Sequence, residues 1–182
     1  MIFRRPALHF LIAFGMVLPV AAHAQSTNHV LGWVEKIQFD EWGVEVKAKV
    51  DTGALTSSMH ATHIERFEQD GEKWVRFMVD VEDERNEESV QKLFERPLYR
   101  NVILRGAGGE DRRPVVLMAV CIGSAIYEEQ FSLEDRSDML YPVLLGRRTI
   151  QHLGVVDVTR TFVTEARCDE DSPRYTFDEE GE

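Results

Sequence analysis

A two-residue repeat constrains this chain more than any other feature. Val44-Glu45-Val46-Lys47-Ala48-Lys49-Val50 alternates apolar and charged side chains without a break, so Val44, Val46, Ala48 and Val50 share one face of an extended strand. Such a strand is stable only within a sheet that covers its apolar side. Val75, Phe77, Val79 and Val81 repeat the pattern between Lys73 and Val81, after a turn at Gln69-Asp70-Gly71, and the charged stretch Glu82 to Glu88 interrupts it. Further strands are expected at Tyr99–Leu104, Val115–Ile122, Tyr127–Leu133, Val143–Leu145, Val155–Val158 and Thr161–Val163, separated by Gly106-Ala107-Gly108-Gly109, Gly123-Ser124 and Asp135–Asp138. Helix is scarce: Thr149–Leu153, closed by Gly154, has the clearest signals, and Ser57–Phe67 has room for a turn or two. Many short strands with no long helices between them give an all-β class, closed or sandwiched. No internal repeat of fixed period is visible.

Of 182 residues 43% are hydrophobic, enough for the core of one ordinary domain. Two cysteines cannot build a disulfide scaffold or a cysteine-rich zinc module. A net charge of −11 repels a phosphate backbone, which argues against nucleic-acid partners. Residues 1–24 read as a secretory signal: a basic start at Arg4-Arg5, an apolar run from Ala7 to Ala22, and the small-x-small step Ala22-His23-Ala24. The run falls short of the roughly 20 residues that span a bilayer, and Pro19 interrupts it. The expectation is a periplasmic protein with no membrane span after cleavage, a domain over residues 25–167, and an acidic, frayed tail over 168–182.

Chemistry is suggested first by Asp51-Thr52-Gly53, followed by Ala54, at the end of the cleanest strand. Gly53 lets the chain turn sharply, so a rigid strand end can present the Asp51 carboxylate into a cleft. The plainer alternative is an aspartate that only bonds its own turn. Far along the chain, Tyr141-Pro142-Val143-Leu144-Leu145-Gly146-Arg147 is an apolar strand ending in Gly-Arg ahead of the short helix. Arg147 is expected to be structural, pairing bidentately with a carboxylate; Asp135 and Asp138 are the candidates because they precede the strand. Cys121 and Cys168 are candidates for a disulfide in an exported chain. The pair Ser57-Ser58 has no nucleophile-elbow pattern around it. Six histidines show no standard ligand spacing; His60 and His63 with Asp51 form the one conceivable set, and no metal site is assigned. There is no phosphate loop, since Gly106–Gly109 lacks the lysine and hydroxyl such a loop requires.

Asp-Thr-Gly-Ala on a strand, then two apolar residues and Gly-Arg before a short helix, is the order seen in retropepsin-type aspartic proteases. Lys49–Ala61, Arg113-Pro114-Val115-Val116, Leu133–Met139 and Pro142–Arg147 resemble more closely a bacterial retropepsin-like family. That family also carries the label of an ATP-dependent zinc protease and is associated with the ribosomal-protein glutamate ligase. Leu55 stands where its members commonly carry arginine. The resemblance implies a closed β-barrel with one short helix near the C-terminal end of the domain, and an aspartic endopeptidase without a cofactor acting on peptide or protein substrates. It implies a homodimer in which each chain supplies one Asp51, with Thr52 bonding across the two-fold axis, Ala54 touching substrate, and Gly146 and Arg147 structural. A flap is expected between Asp80 and Glu110. Two rivals remain: a non-catalytic peptide-binding or regulatory domain, and a zinc-dependent hydrolase.

Overall fold

The computed structural model describes residues 29–106 and 109–177. The leader expected over 1–24 and the end of the tail, 178–182, lie outside the described residues. The elements in chain order are β1 (His29–Gly32), β2 (Val34–Phe39), β3 (Glu45–Val50), β4 (Ser57–His60), β5 (Thr62–Gln69), β6 (Glu72–Asp83), β7 (Glu88–Pro97), β8 (Arg100–Gly106), β9 (Gly109–Ile122), β10 (Ala125–Glu134), β11 (Val143–Leu145), α1 (Arg147–Leu153), β12 (Gly154–Asp157) and β13 (Arg174–Tyr175). No described helix is long and apolar enough to cross a membrane.

Strand pairing runs from β10 to β4, β11, β3, β2 and β9, and from β9 back to β10, which closes a ring. Two of its joins are only two residue pairs long: β4 to β11, and β2 to β9, where Gln38 faces Cys121 and Phe39 faces Val120. The alternation in β3 does what its period demands: Val46, Ala48 and Val50 point inward with Ile37, Phe39, Met59, Phe131, Leu133 and Leu145, all buried. Lys47 and Lys49 face outward. The all-β class and the single short helix are therefore as expected.

A separate antiparallel meander, β5–β6–β7, lies against the barrel. Val75, Phe77, Val79 and Val81 are its buried stripe. Phe77 stacks on its cross-strand partner Phe94 at 5.6 Å, Phe94 meets Trp42 at 5.8 Å, and Trp42 meets Phe39 of the barrel at 6.2 Å. This aromatic run joins the two sheets into one core.

Several boundaries differ from expectation for identifiable reasons. Ser57–Phe67 holds no helix; it is β4 and most of β5. In β5 a bulge between Thr62 and Glu65, with His63 at φ 49°, inserts one residue, so Ile64 and Phe67 fall three apart and imitate helical spacing. The strand β7 was not foreseen because Lys92, Glu95 and Arg96 occupy its half-buried positions, Leu93 is exposed, and Phe94 is its one fully buried apolar residue. Helix α1 begins at Arg147 rather than Thr149. Thr161–Val163 is not a strand; the Phe162 N–H donates to the Val34 carbonyl and the Val163 N–H to the buried Glu35 carboxylate at 3.1 Å. Residues 168–177, read from composition as a frayed tail, are tied down: Cys168 is disulfide-bonded to Cys121, and β13 pairs with Ile126–Tyr127 of β10.

Candidate active site

Asp51 follows the last residue of β3, where β3 and β11 run side by side and Val50 lies opposite Leu145. Its N–H donates to the Leu145 carbonyl at 2.9 Å, which continues the ladder one residue past the strand. The chain then turns: the Gly53 N–H donates to Asp51 Oδ1 at 2.9 Å and the Ala54 N–H to the Asp51 carbonyl at 3.3 Å. Thr52 and Gly53 are exposed at the apex of the turn, and Ala54 is half-buried behind them. Lys49, one step back on the same outward face, places Nζ 3.0 Å from Asp51 Oδ2. The Lys49 ammonium, then the N–H groups of the turn, hold the Asp51 carboxyl below its ordinary 3.8.

The start of α1 grips this turn from the other side. Arg147 Nη1 donates to the carbonyls of Thr52 at 2.9 Å and Gly53 at 3.0 Å, while the Arg147 and Arg148 backbone N–H groups donate to the Ala54 and Leu55 carbonyls. These are unsatisfied donors of a helix N-terminus meeting unsatisfied acceptors of a turn. The expected carboxylate partner of Arg147 is thus corrected. Asp135 instead accepts from the Ser137 N–H, and the exposed guanidinium is held by backbone carbonyls. Gly146 is required at this crossing, because a Cβ there would lie 2.7 Å from the Thr56 carbonyl carbon and 2.8 Å from the Leu55 oxygen.

Beneath the turn runs a buried polar chain that sequence reading missed. The Gly146 N–H donates to Ser57 Oγ (2.9 Å), Ser57 Oγ meets Thr149 Oγ1 (2.8 Å), Thr149 donates to Glu129 Oε2 (3.0 Å), and His152 Nδ1 lies 2.8 Å from Glu129 Oε1. With Glu129 ionised each hydroxyl has one fixed role, donating toward the carboxylate and accepting from the turn side. Ser57, Thr149 and Glu129 are far apart in sequence, so nothing but the fold could reveal this. Lys49 was legible, since it stands two residues before Asp51 in a strand.

Ser58, next along β4, accepts from the buried Arg136, whose Nη1 also pairs with Glu134 at 2.7 Å. Burial pulls the Arg136 guanidinium below its ordinary value. His60 Nδ1 accepts from the Arg136 N–H at 3.0 Å and His63 bonds the neighbouring Thr62 hydroxyl, so neither histidine joins Asp51. Among the described residues no cluster of three or more His, Cys, Asp or Glu side chains gathers as a metal set.

Between Asp80 and Glu110 there are two hairpins. The β6–β7 turn is pinned at the end of β3 away from Asp51, where the Glu84 N–H donates to the Glu45 carbonyl and Glu84 pairs with Lys47. The β8–β9 hairpin is anchored beside the Asp51 turn, where Arg100 donates to Thr56 Oγ1 at 3.1 Å and to Gln130 at 2.6 Å. From there β8 and the first half of β9 form a backbone ladder with each other out to Gly106 opposite Gly109, with Arg66 bonding Asn101 and Glu134 pairing with Arg113 near the base, while the second half of β9 returns to the barrel.

The profile of the RimB-like family, described as retropepsin-like aspartic endopeptidase RimB, matches residues 30–167. A probable alpha-L-glutamate ligase of Desulfotalea psychrophila is 31% identical over 130 residues, 70% of this chain and 28% of that protein. A protein of the same description from Shewanella pealeana is 31% identical over 135 residues, 73% of this chain and 29% of its own length. The chain thus spans less than a third of the relatives it matches. A crystal structure of a Legionella pneumophila protein of unknown function is similar with a TM-score of 0.63 and 32% identity, covering 76% of this chain and all of the other. The chain belongs to the RimB-like family of retropepsin-like aspartic endopeptidases.

Proposed function

We propose that this chain is an exported endopeptidase that hydrolyses peptide bonds with a water held between two Asp51 carboxylates, one from each protomer of a homodimer. The observation that carries this reading is the Asp51 turn, clamped by β11 on one side and by Arg147 on the other. A carboxylate fixed this firmly costs little reorganisation in the transition state. Two such groups about 3 Å apart share one proton. The ionised member takes a proton from water as the water oxygen attacks the scissile carbonyl carbon, and the protonated member gives its proton to the carbonyl oxygen. Collapse of the resulting gem-diol breaks the C–N bond: the departing amine takes the dyad's proton while one gem-diol hydroxyl returns its proton to the other carboxylate, so carboxylic acid and amine leave and the dyad again holds one proton.

Other observations support the pairing and the setting. The edge strands β1 and β12 pair in parallel and carry exposed Val30 and Val155, an apolar sheet edge suited to extension by a second copy. The β8–β9 hairpin is the flap in this account, closing over an extended peptide that adds to it as a strand. The Cys121–Cys168 disulfide suits an oxidising compartment, in keeping with a signal over residues 1–24 and a mature start at Gln25. One observation favours a second reading. The Lys49 ion pair keeps Asp51 ionised in the single chain, which would equally suit a peptide-binding domain whose carboxylate only accepts hydrogen bonds.

Incubating the exported chain with a peptide panel at pH 3 to 8 separates the two readings. Glutamate-rich peptides belong in the panel, because the relatives' names concern glutamate. Hydrolysis that chelators leave unchanged and that Asp51→Asn reduces by about 10³-fold or more fits the proposal. Binding without fragments at any pH would replace it with the second reading.

A further inference from the structure

On the flank of the barrel, where β6 passes the loop leading into β11, a cleft of about 880 Å³ opens without including Asp51. Trp33, Met139, Leu140 and Phe162 line it and are exposed, Leu140 at 83%. Trp33 meets Tyr141 edge to face at 6.3 Å, which makes one wall aromatic. Exposed apolar residues gathered around one concavity mark a binding surface more often than solitary ones do. One wall residue, Phe162 at φ 52°, holds left-handed backbone that a bulky side chain rarely adopts. Backbone strain of this kind collects at ligand sites.

The charges of the cleft are unevenly matched. Lys47 is taken by Glu84 at 2.9 Å, and Arg136 by Glu134 and Ser58. Asp80 and Glu82, outward-facing on β6, line the opposite wall, and Asp80 accepts only a long hydrogen bond from Ser89 at 3.4 Å. Among the described residues neither carboxylate has a cation within ion-pairing distance. The cleft thus offers aromatic and aliphatic side chains beside Asp80, which pairs with no cation among the described residues, and Glu82, which shares the field of the Lys47 ammonium with Glu84 and leaves the wall negative. It also shares its strands with the active site. The Trp33 carbonyl accepts the Val50 N–H, and Pro142 leads directly into β11, whose Leu145 carbonyl holds the Asp51 N–H. From Lys47 to Asp51 is four residues of strand, roughly 13 Å.

We propose that this cleft is a docking site for an extended polypeptide segment that alternates basic with bulky apolar side chains, held apart from the Asp51 turn. The apolar side chains pack on Leu140, Phe162 and the Trp33–Tyr141 wall. The cations face Asp80 and Glu82, with Trp33 available for stacking. If Asp51 is catalytic, the docked segment extends a substrate past the scissile bond and selects which proteins are cut. The docking itself does not require turnover, so it is tested by binding.

The test is fluorescence anisotropy of the exported full-length chain at low salt with two labelled ten-residue peptides, one alternating arginine and leucine, the other glutamate and leucine. The arginine peptide is expected to bind at least about ten-fold tighter. Asp80→Asn with Glu82→Gln should weaken it about five-fold, and Leu140→Ser, at a solvent-facing position, should weaken it further. Asp51→Asn should leave the affinity unchanged. Equal affinity for the two peptides, or indifference to the Asp80 and Glu82 changes, overturns the proposal. So does loss of binding in Asp51→Asn, which would put the peptide at the turn. Sedimentation showing that Leu140→Ser splits a dimer also overturns it, because a second copy would then fill the cleft.

Discussion

Lys49 is the residue whose removal distinguishes a tuned carboxylate from a merely exposed one. Its ammonium sits on Asp51 Oδ2 and lowers the carboxyl pKa, so two such pairs facing each other also relieve repulsion within the proposed dyad. Lys49→Met therefore raises both apparent pKa values, and the bell-shaped activity profile moves to higher pH without a change in protein fold. Profiles of kcat/KM from pH 3 to 8 read this directly. Arg147 behaves differently, because it holds carbonyls and touches no carboxylate. Arg147→Ala should cost about 1–2 kcal/mol in urea denaturation, reduced from the usual worth of charged hydrogen bonds by its exposure. Asp51, Thr52, Gly53, Gly146 and Arg147 were all legible as residue types at a strand end. The partner of Arg147 was not, because a backbone carbonyl leaves no mark in a sequence.

The strands that announced themselves are those with one dry and one wet face. β3 and β6 alternate because each lies with one side in the core, and both were read correctly. β4 is buried on every residue between β10 and β11, so Ser57, Ser58 and His60 satisfy their polar atoms inside the protein and erase the alternation. β5 is disguised by its bulge and β7 by its charge. The β6–β7 turn also carries a pH-dependent contact. Arg85 donates to both oxygens of the buried Asp83 and holds its pKa down to about 2, against an ordinary 3.8. A depressed carboxylate stabilises the fold above its unfolded pKa, and that contribution disappears as pH falls from about 4 through 2. Arg85→Ala should lose about 1–2 kcal/mol at pH 7, since the guanidinium is half-exposed, and should flatten the acid limb of a urea-midpoint profile.

At the scale of the molecule, closure of the ring and the grip of the C-terminal segment decide how the site is held. Cys121 lies at the narrow β2–β9 join and Cys168 beyond the barrel, so their bond ties residues 168–177 to the closing strand. Reduction should lower stability by up to about 4 kcal/mol on loop-closure entropy, measured as a fall in the urea midpoint with thiol present. The closed barrel could be inferred from many short strands and from the family resemblance, but the ring order could not, since pairing β4 with β10 and β11 joins residues far apart in the chain. The central claim is that catalysis belongs to two chains together, each giving one Asp51. Mixing wild type with equimolar Asp51→Asn, under conditions where subunits exchange, tests it most directly. A shared dyad leaves mixed dimers inactive, so peptide hydrolysis at fixed total protein should fall to about one quarter of the all-wild-type rate. A fall to only about one half, in proportion to the wild-type chains present, would mean that each chain acts alone and would contradict the account.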